Sequence, residues 1–221
     1  MRRTNYGLGL CAVVVGVLCL AVSAPQARAE MYIAGQVGAT LPKSLTGIEL
    51  TAGGGTTGMG DLSLNDSVMY GAKLGYYFES IKWLGVETEV FNSNPGLKQQ
   101  EWVIGGINAG TQPGADFRVL TWAPINVLVR LQMGKFEPYA GVGLGVFFSH
   151  LSGPSGSSSG TDVGLNTQLG LRFRVSDHVA LFGEWKYNYA NINHSDVLAL
   201  GTDFSANYNA NHLAFGVSYH F

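Results

Sequence analysis

Eight stretches of this chain alternate apolar residues with small or polar ones at period two, and no other feature restricts the fold as strongly. Successive side chains of a strand point to opposite faces, so each such run makes a strand with one apolar face. The clearest run is the last. Leu213, Phe215, Val217, Tyr219 and Phe221 alternate with His212, Ala214, Gly216, Ser218 and His220. The same reading predicts strands over 31–41, 68–78, 84–91, 125–131, 140–149, 164–175 and 179–189. Pro124 removes one ladder hydrogen bond, which predicts a bulge near the loop end of the fourth strand.

The connections alternate in length. Short turns fall at Glu79–Lys82, Gly134–Lys135 and Ser176–His178, and long loops rich in Gly, Ser, Thr and Asn fall at 42–66, 92–116, 151–162 and 191–206. Long loops at one end and short turns at the other are the asymmetry of a transmembrane barrel, with both chain ends on the short-turn, periplasmic side. The expected fold class is therefore all-β, an eight-stranded antiparallel up-and-down transmembrane β-barrel.

The first 29 residues stand apart from this pattern. Arg2 and Arg3 precede an uncharged stretch from Gly7 to Val22, and Ala27 and Ala29 supply small residues at its end. That order predicts a secretory signal peptide over 1–29, cleaved after Ala29, with the barrel domain over 30–221. The stretch is short for a membrane anchor. Cys11 and Cys19 both lie in it, each after a leucine and not after the small residue a lipoprotein needs. Losing Arg2, Arg3 and Arg28 leaves acidic residues in excess, which argues against a nucleic-acid partner.

A soluble barrel would show the same alternation with its apolar face inside, and three features decide against it. The polar face is rich in Gly, Ala, Ser and Asn and poor in charge, as an enclosed face would be; charged residues are only 13% of the chain. The apolar faces carry many large side chains on all eight strands, more than an eight-stranded interior holds. Aromatic residues collect at the ends of the apolar stripes: Tyr76, Phe78, Phe173, Tyr187, Tyr189, Tyr219 and Phe221, the position of interfacial girdles.

These residues resemble a known group, the small eight-stranded outer-membrane barrels of the OmpA and opacity-protein type. The likeness covers nearly all of 30–221. It is most specific at Gly85-Val-Glu-Thr-Glu-Val-Phe91, in the segment from Phe136-Glu-Pro-Tyr to Val146, at Phe182-Gly-Glu-Trp-Lys-Tyr187, and at His220-Phe221. The resemblance implies location in the cell outer membrane and insertion by the outer-membrane assembly machinery. That machinery reads an alternating C-terminal strand ending in an aromatic residue, here Leu213, Phe215, Val217, Tyr219 and Phe221. It implies no single activity, since members include anchors, adhesins, narrow channels and barrels of unknown role. The chain stops at the barrel, so the peptidoglycan-binding domain of longer relatives is expected to be absent.

The inward ionisable residues are the candidate site: Lys73, Glu87, Glu89, Arg130, Arg172, Arg174, Glu184 and Lys186, five basic and three acidic. Buried charges need partners, so the first reading is a salt-bridge network plugging the lumen. The alternative is a charged constriction in a narrow, weakly anion-preferring channel, its charge made pH-dependent by inward His212 and His220. Arg172 is expected nearly opposite Glu184, or a position beside it, across the turn at Asp177–His178. Gly141-Val-Gly-Leu-Gly145 lies along one strand face and reads as room for bulky inward neighbours, not as a phosphate loop. Asn193-His194-Ser195-Asp196 invites a lipid-modifying enzyme, but adjacent strand residues point to opposite faces and the segment falls in an expected loop. The loop acids Asp61, Asp66, Asp116, Asp162, Asp196 and Asp203 are scattered and read as solvated charge. The expectation is thus a non-enzymatic, monomeric barrel without cofactor or metal. It sits in lipid and lipopolysaccharide and meets an external ligand through four long loops.

Overall fold

The computed structural model describes residues 30–153, 156–195 and 202–221. The expected leader, residues 1–29, lies outside them. Twelve strands follow in chain order: β1 Glu30–Pro42, β2 Thr46–Ala52, β3 Gly55–Met59, β4 Ser67–Tyr77, β5 Leu84–Ser93, β6 Gln100–Ile104, β7 Ile107–Gln112, β8 Asp116–Arg130, β9 Phe136–Gly153, β10 Gly156–Arg174, β11 Val179–His194 and β12 Asp203–His220. Eight of them pair side by side as β1-β4-β5-β8-β9-β10-β11-β12, and β1 pairs with β12 to close the ring. A closed ring leaves no open edge and satisfies every ladder group between strands, which lipid requires.

The register fixes the lean of the strands. Leu41 faces Asn211, and the line of partners continues through Tyr187, Thr167, Val142, Val127, Val86 and Tyr76. It returns to β1 at Met31, ten residues below its start at Leu41. Eight strands offset by ten residues tilt about 40° from the barrel axis.

Large apolar side chains of the eight strands point outward: Phe215 is 68% exposed, Leu169 57% and Val217 51%, while their inward neighbours Ala214, Gln168 and Ser218 are buried. Exposed aromatics ring both ends of this apolar surface. Tyr76, Phe136, Phe173, Tyr219 and Phe221 lie toward the short turns, and Tyr70, Trp122, Phe148 and Tyr189 toward the other end. The expected bulge is present at Pro124, where the ladder of β8 shifts register against β5 between Glu87 and Glu89 and against β9 between Trp122 and Ile125. Thr88 Oγ1 donates to the freed Ala123 carbonyl at 3.1 Å.

Two expectations about the long loops need correction. The described parts of the segments expected as loops at 151–162 and 191–206 are mostly strand: β9 and β10 pair from Gly156–Gly153 onward, and β11 and β12 pair as far as His194 and Phe204, with 154–155 and 196–201 outside the described residues. Here the alternation keeps its period but inverts its phase. Along β12, Phe204, Ala206, Tyr208 and Ala210 are buried inward while Ser205, Asn207, Asn209 and Asn211 face out. Phe117 and Val119 on β8, Phe147 on β9 and Ile192 on β11 join them in one apolar core above the lumen. Outside the lipid the wall therefore packs like a water-soluble barrel, and the Asn-rich composition marks its wet face.

The segments expected as loops at 42–66 and 92–116 hold two hairpins. β2 and β3 turn on Gly53 and Gly54, β6 and β7 on Gly105 and Gly106, and all four glycines have positive φ. Two-residue turns with both central residues at positive φ match strand twist and favour glycine. β2 pairs with the outer end of β12, and Met59 of β3 bridges Ile104 of β6. The first two connections thus fold into a sheet over the outer mouth.

Candidate functional site

All eight of the expected lumen residues point inward, and the structure adds Glu30 and Glu137 to them. With both counted, basic and acidic residues balance at five each among the described inward positions, so the basic excess behind the expected anion preference is absent.

The charges form two clusters. Nearer the middle, Lys73 and Lys186 meet Glu87, Glu89 and Glu184. Lys73 Nζ lies 2.6 Å from Glu184 Oε2 and 3.2 Å from Glu87 Oε1; Lys186 Nζ lies 2.7 Å from Glu184 Oε1 and also contacts Glu89. Neutral amides fill the remaining hydrogen-bond capacity, with Gln168 donating to Glu87 at 2.8 Å and Asn166 to Glu89 at 2.8 Å. Toward the short turns, Arg130, Arg172 and Arg174 converge on Glu137 and Glu30. Arg130 reaches Glu30 at 2.6 Å, Arg172 reaches Glu137 at 3.5 Å, and His220 Nδ1 lies 2.7 Å from Glu30.

A tier of tyrosines separates the clusters. Tyr32 OH donates to Glu87 at 2.5 Å and Tyr139 OH to Glu184 at 2.6 Å. The Arg172 guanidinium stacks over Tyr32 at 4.5 Å and that of Arg130 over Tyr77 at 3.6 Å. Glycine makes this tier fit: a Cβ on Gly75 would stand 2.2 Å from Tyr32, and one on Gly170 2.4 Å from Tyr139. The glycines of 141–145 act likewise, Cβ atoms there meeting Leu128, Asn126 and Phe147 within 3 Å.

Arg172 falls beside Glu184 in the register, within the expected range, but its ion pair is with Glu137. Arg172 lies opposite Phe182, and Gly170 lies opposite Glu184. One pair of positions separates the two, which puts Arg172 in the lower cluster and Glu184 in the upper one. Glu137 lies outside the fifth strand expected from the sequence, which begins at Ala140. Its own alternation, with Ala140 and Val142 outward, already turns Tyr139 and Glu137 inward. Glu30 precedes the first alternating run, at 31–41, and so carries no signal of its own.

At the outer end His194 is buried on β11, not in a loop, and its Nε2 lies 3.0 Å from Ser149 Oγ of β9. This is a serine–histidine contact that the local run Asn193-His194-Ser195 does not make. A hydrolytic triad needs an acid on the far ring nitrogen. His194 Nδ1 makes no hydrogen bond among the described residues, and the nearby Asp162 carboxylate is taken by the Asn193 backbone and side-chain amides at 3.1 and 3.0 Å. Asp196 lies outside the described residues. Beside His194 an apolar cavity of about 150 Å³ opens under the hairpin sheet, between Leu62, Leu97, Phe117, Phe204 and Ala206.

A closed antiparallel ring with an apolar outer stripe, aromatic rims and charges sealed within defines an integral membrane β-barrel. The chain belongs to the outer membrane protein beta-barrel family: the model of the outer membrane protein beta-barrel domain matches residues 10–221. It is a protein of the cell outer membrane. No curated protein matches it. Among solved structures it resembles the outer membrane protein OprG from Pseudomonas aeruginosa, at 17% identity and a TM-score of 0.59, covering 87% of this chain and 95% of that one. It also resembles Neisserial surface protein A (NspA), at 16% identity and 0.54, covering 87% and 99%. The outer membrane protein AlkL, determined in lipid bilayers, matches at 17% and 0.53, covering 86% and 90%. Likeness at this identity establishes the fold alone.

Proposed function

We propose that this is a closed outer-membrane barrel that acts through its outer end, by surface interaction and not by conduction. One observation carries the reading. The side chains of Lys73, Glu87, Glu89, Glu184 and Lys186 are at most 2% exposed to solvent. Residues lining a water-filled pore would be wet. The ordered hairpins β2–β3 and β6–β7 also cover the mouth and present polar surface outward. Lipopolysaccharide surrounds the outer rim in this reading, the protein is a monomer without catalytic activity, and the assembly machinery recognises the outward stripe from Leu213 to Phe221.

Planar-bilayer recording on purified, refolded protein tests the closed lumen. The wild type is expected to show no steady conductance, and Glu184→Gln to raise it by loosening the upper cluster. Steady wild-type conductance with a defined anion-to-cation ratio would replace this reading with the channel.

A further inference from the structure

The cavity beside His194 has features the closed lumen does not explain. Its described lining includes no Lys, Arg, Asp or Glu. Two other polar side chains on it are committed, Ser158 Oγ donating to the Ser195 carbonyl at 3.1 Å and Gln112 Nε2 to the Ala109 carbonyl at 3.3 Å, while Trp102 adds an indole to the wall. His194 is 2% exposed, its Nε2 is engaged by Ser149, and its Nδ1 has no partner among the described residues. A buried polar atom without a partner is costly, and a ligand group that pairs with it removes that cost. A cavity of about 150 Å³ with aliphatic and aromatic walls is the size that admits a single benzene ring. Walls without charge reject an ionised ligand, which would stay unpaired there.

We infer that this cavity binds a small neutral molecule with one ring and one hydroxyl group, a simple phenol or cyclic alcohol, whose hydroxyl hydrogen-bonds His194 Nδ1. The ring packs between the hairpin residues Leu62 and Leu97 and the barrel residues Phe117, Phe204 and Ala206. The imidazole can serve in either tautomer, since Ser149 Oγ donates or accepts as required. This deepens the reading of the outer end as the interaction site by naming a ligand class, and it does not depend on whether the lumen conducts.

The test is ¹⁹F NMR titration of 4-fluorophenol, and separately of fluorobenzene, with protein in lipid nanodiscs against empty nanodiscs as blank. Saturable binding of 4-fluorophenol above the blank is expected, with fluorobenzene about tenfold weaker, the change that one hydrogen bond of about 1.4 kcal/mol produces. His194→Phe should abolish the difference between the two probes. Ala206→Phe should remove binding of both by filling the cavity. Leu62→Trp, on a connection outside the barrel wall, gives the same readout should Ala206→Phe fail to fold. Conductance measured on the same preparation keeps failure of the closed-lumen reading separate from failure of this one. Equal binding of both probes to the wild type, no saturation above the blank, or undiminished binding in folded cavity-filling variants would overturn the inference.

Discussion

Glu184 concentrates the lumen's demands on one side chain. Its Oε1 accepts from Lys186 and Lys73, and its Oε2 from Lys73 and Tyr139. In Glu184→Gln the amide nitrogen sets a donor against the Lys73 ammonium whichever way it flips, so repacking gives no relief. Breaking a buried pair by removing one partner costs about 3–5 kcal/mol. Glu101, exposed on β6 and held by Asn108 at 3.2 Å, supplies the control; Glu101→Gln should stay within about 0.5 kcal/mol. Urea titrations followed by gel mobility measure both. Inward charges on well-alternating strands were legible, because a lumen tolerates them only in company. Their pairing was not, since it depends on register on both sides of a strand: Arg172 lies directly opposite Glu137 across β9 and one pair of positions from Glu184 across β11.

At the scale of the element, the outward stripe and the hairpins behave differently under substitution. Leu169 lies on the lipid face of β10, so Leu169→Arg should cost about 2–4 kcal/mol near the bilayer midplane. Gly170→Ser, next to it on the lumen face, should destabilise through collision with Tyr139, independent of lipid. Equal refolding of wild type and Leu169→Arg would reverse the facing of the strand. The hairpins answer to their turns. Gly54 has φ +82, so Gly54→Val should open β2–β3 to external protease while the barrel keeps its gel mobility. The membrane-spanning strands were legible because lipid on one side and a packed lumen on the other impose opposite chemistry on neighbouring residues. β3, reading Gly-Thr-Thr-Gly-Met, faces no such contrast and has no stripe to detect. Its only signal was the glycine pair before it. The outer halves of β11 and β12 escape for another reason: their apolar residues, such as Ile192, Phe204 and Tyr208, fall on the face that is polar lower down, so the two halves cancel when read as one strand, while the outer end of β10, 156–162, carries no large apolar residue at all.

For the whole molecule, closure between β1 and β12 makes unfolding all-or-none, since no edge remains from which to fray. The unboiled protein should therefore run at a different mobility from the boiled one on SDS gels and show β-type circular dichroism in detergent; a helical spectrum would refute the fold. The inversion of phase along the wall has a consequence for where the protein floats. Trp185 reaches Asn211, Tyr187 reaches Asn209 and Tyr189 reaches Asn207, a short ladder along which the outer surface changes from Leu213 below to Ser205 above. That ladder is a waterline. One pair of residues on a tilted strand corresponds to about 5 Å of height. Sinking by that much would drown asparagines in hydrocarbon, and rising by it would strand leucines and phenylalanines in water. The barrel is thus ballasted from both sides and holds its draught to within about one pair of residues, so the cap and its cavity ride at a fixed height above the lipid.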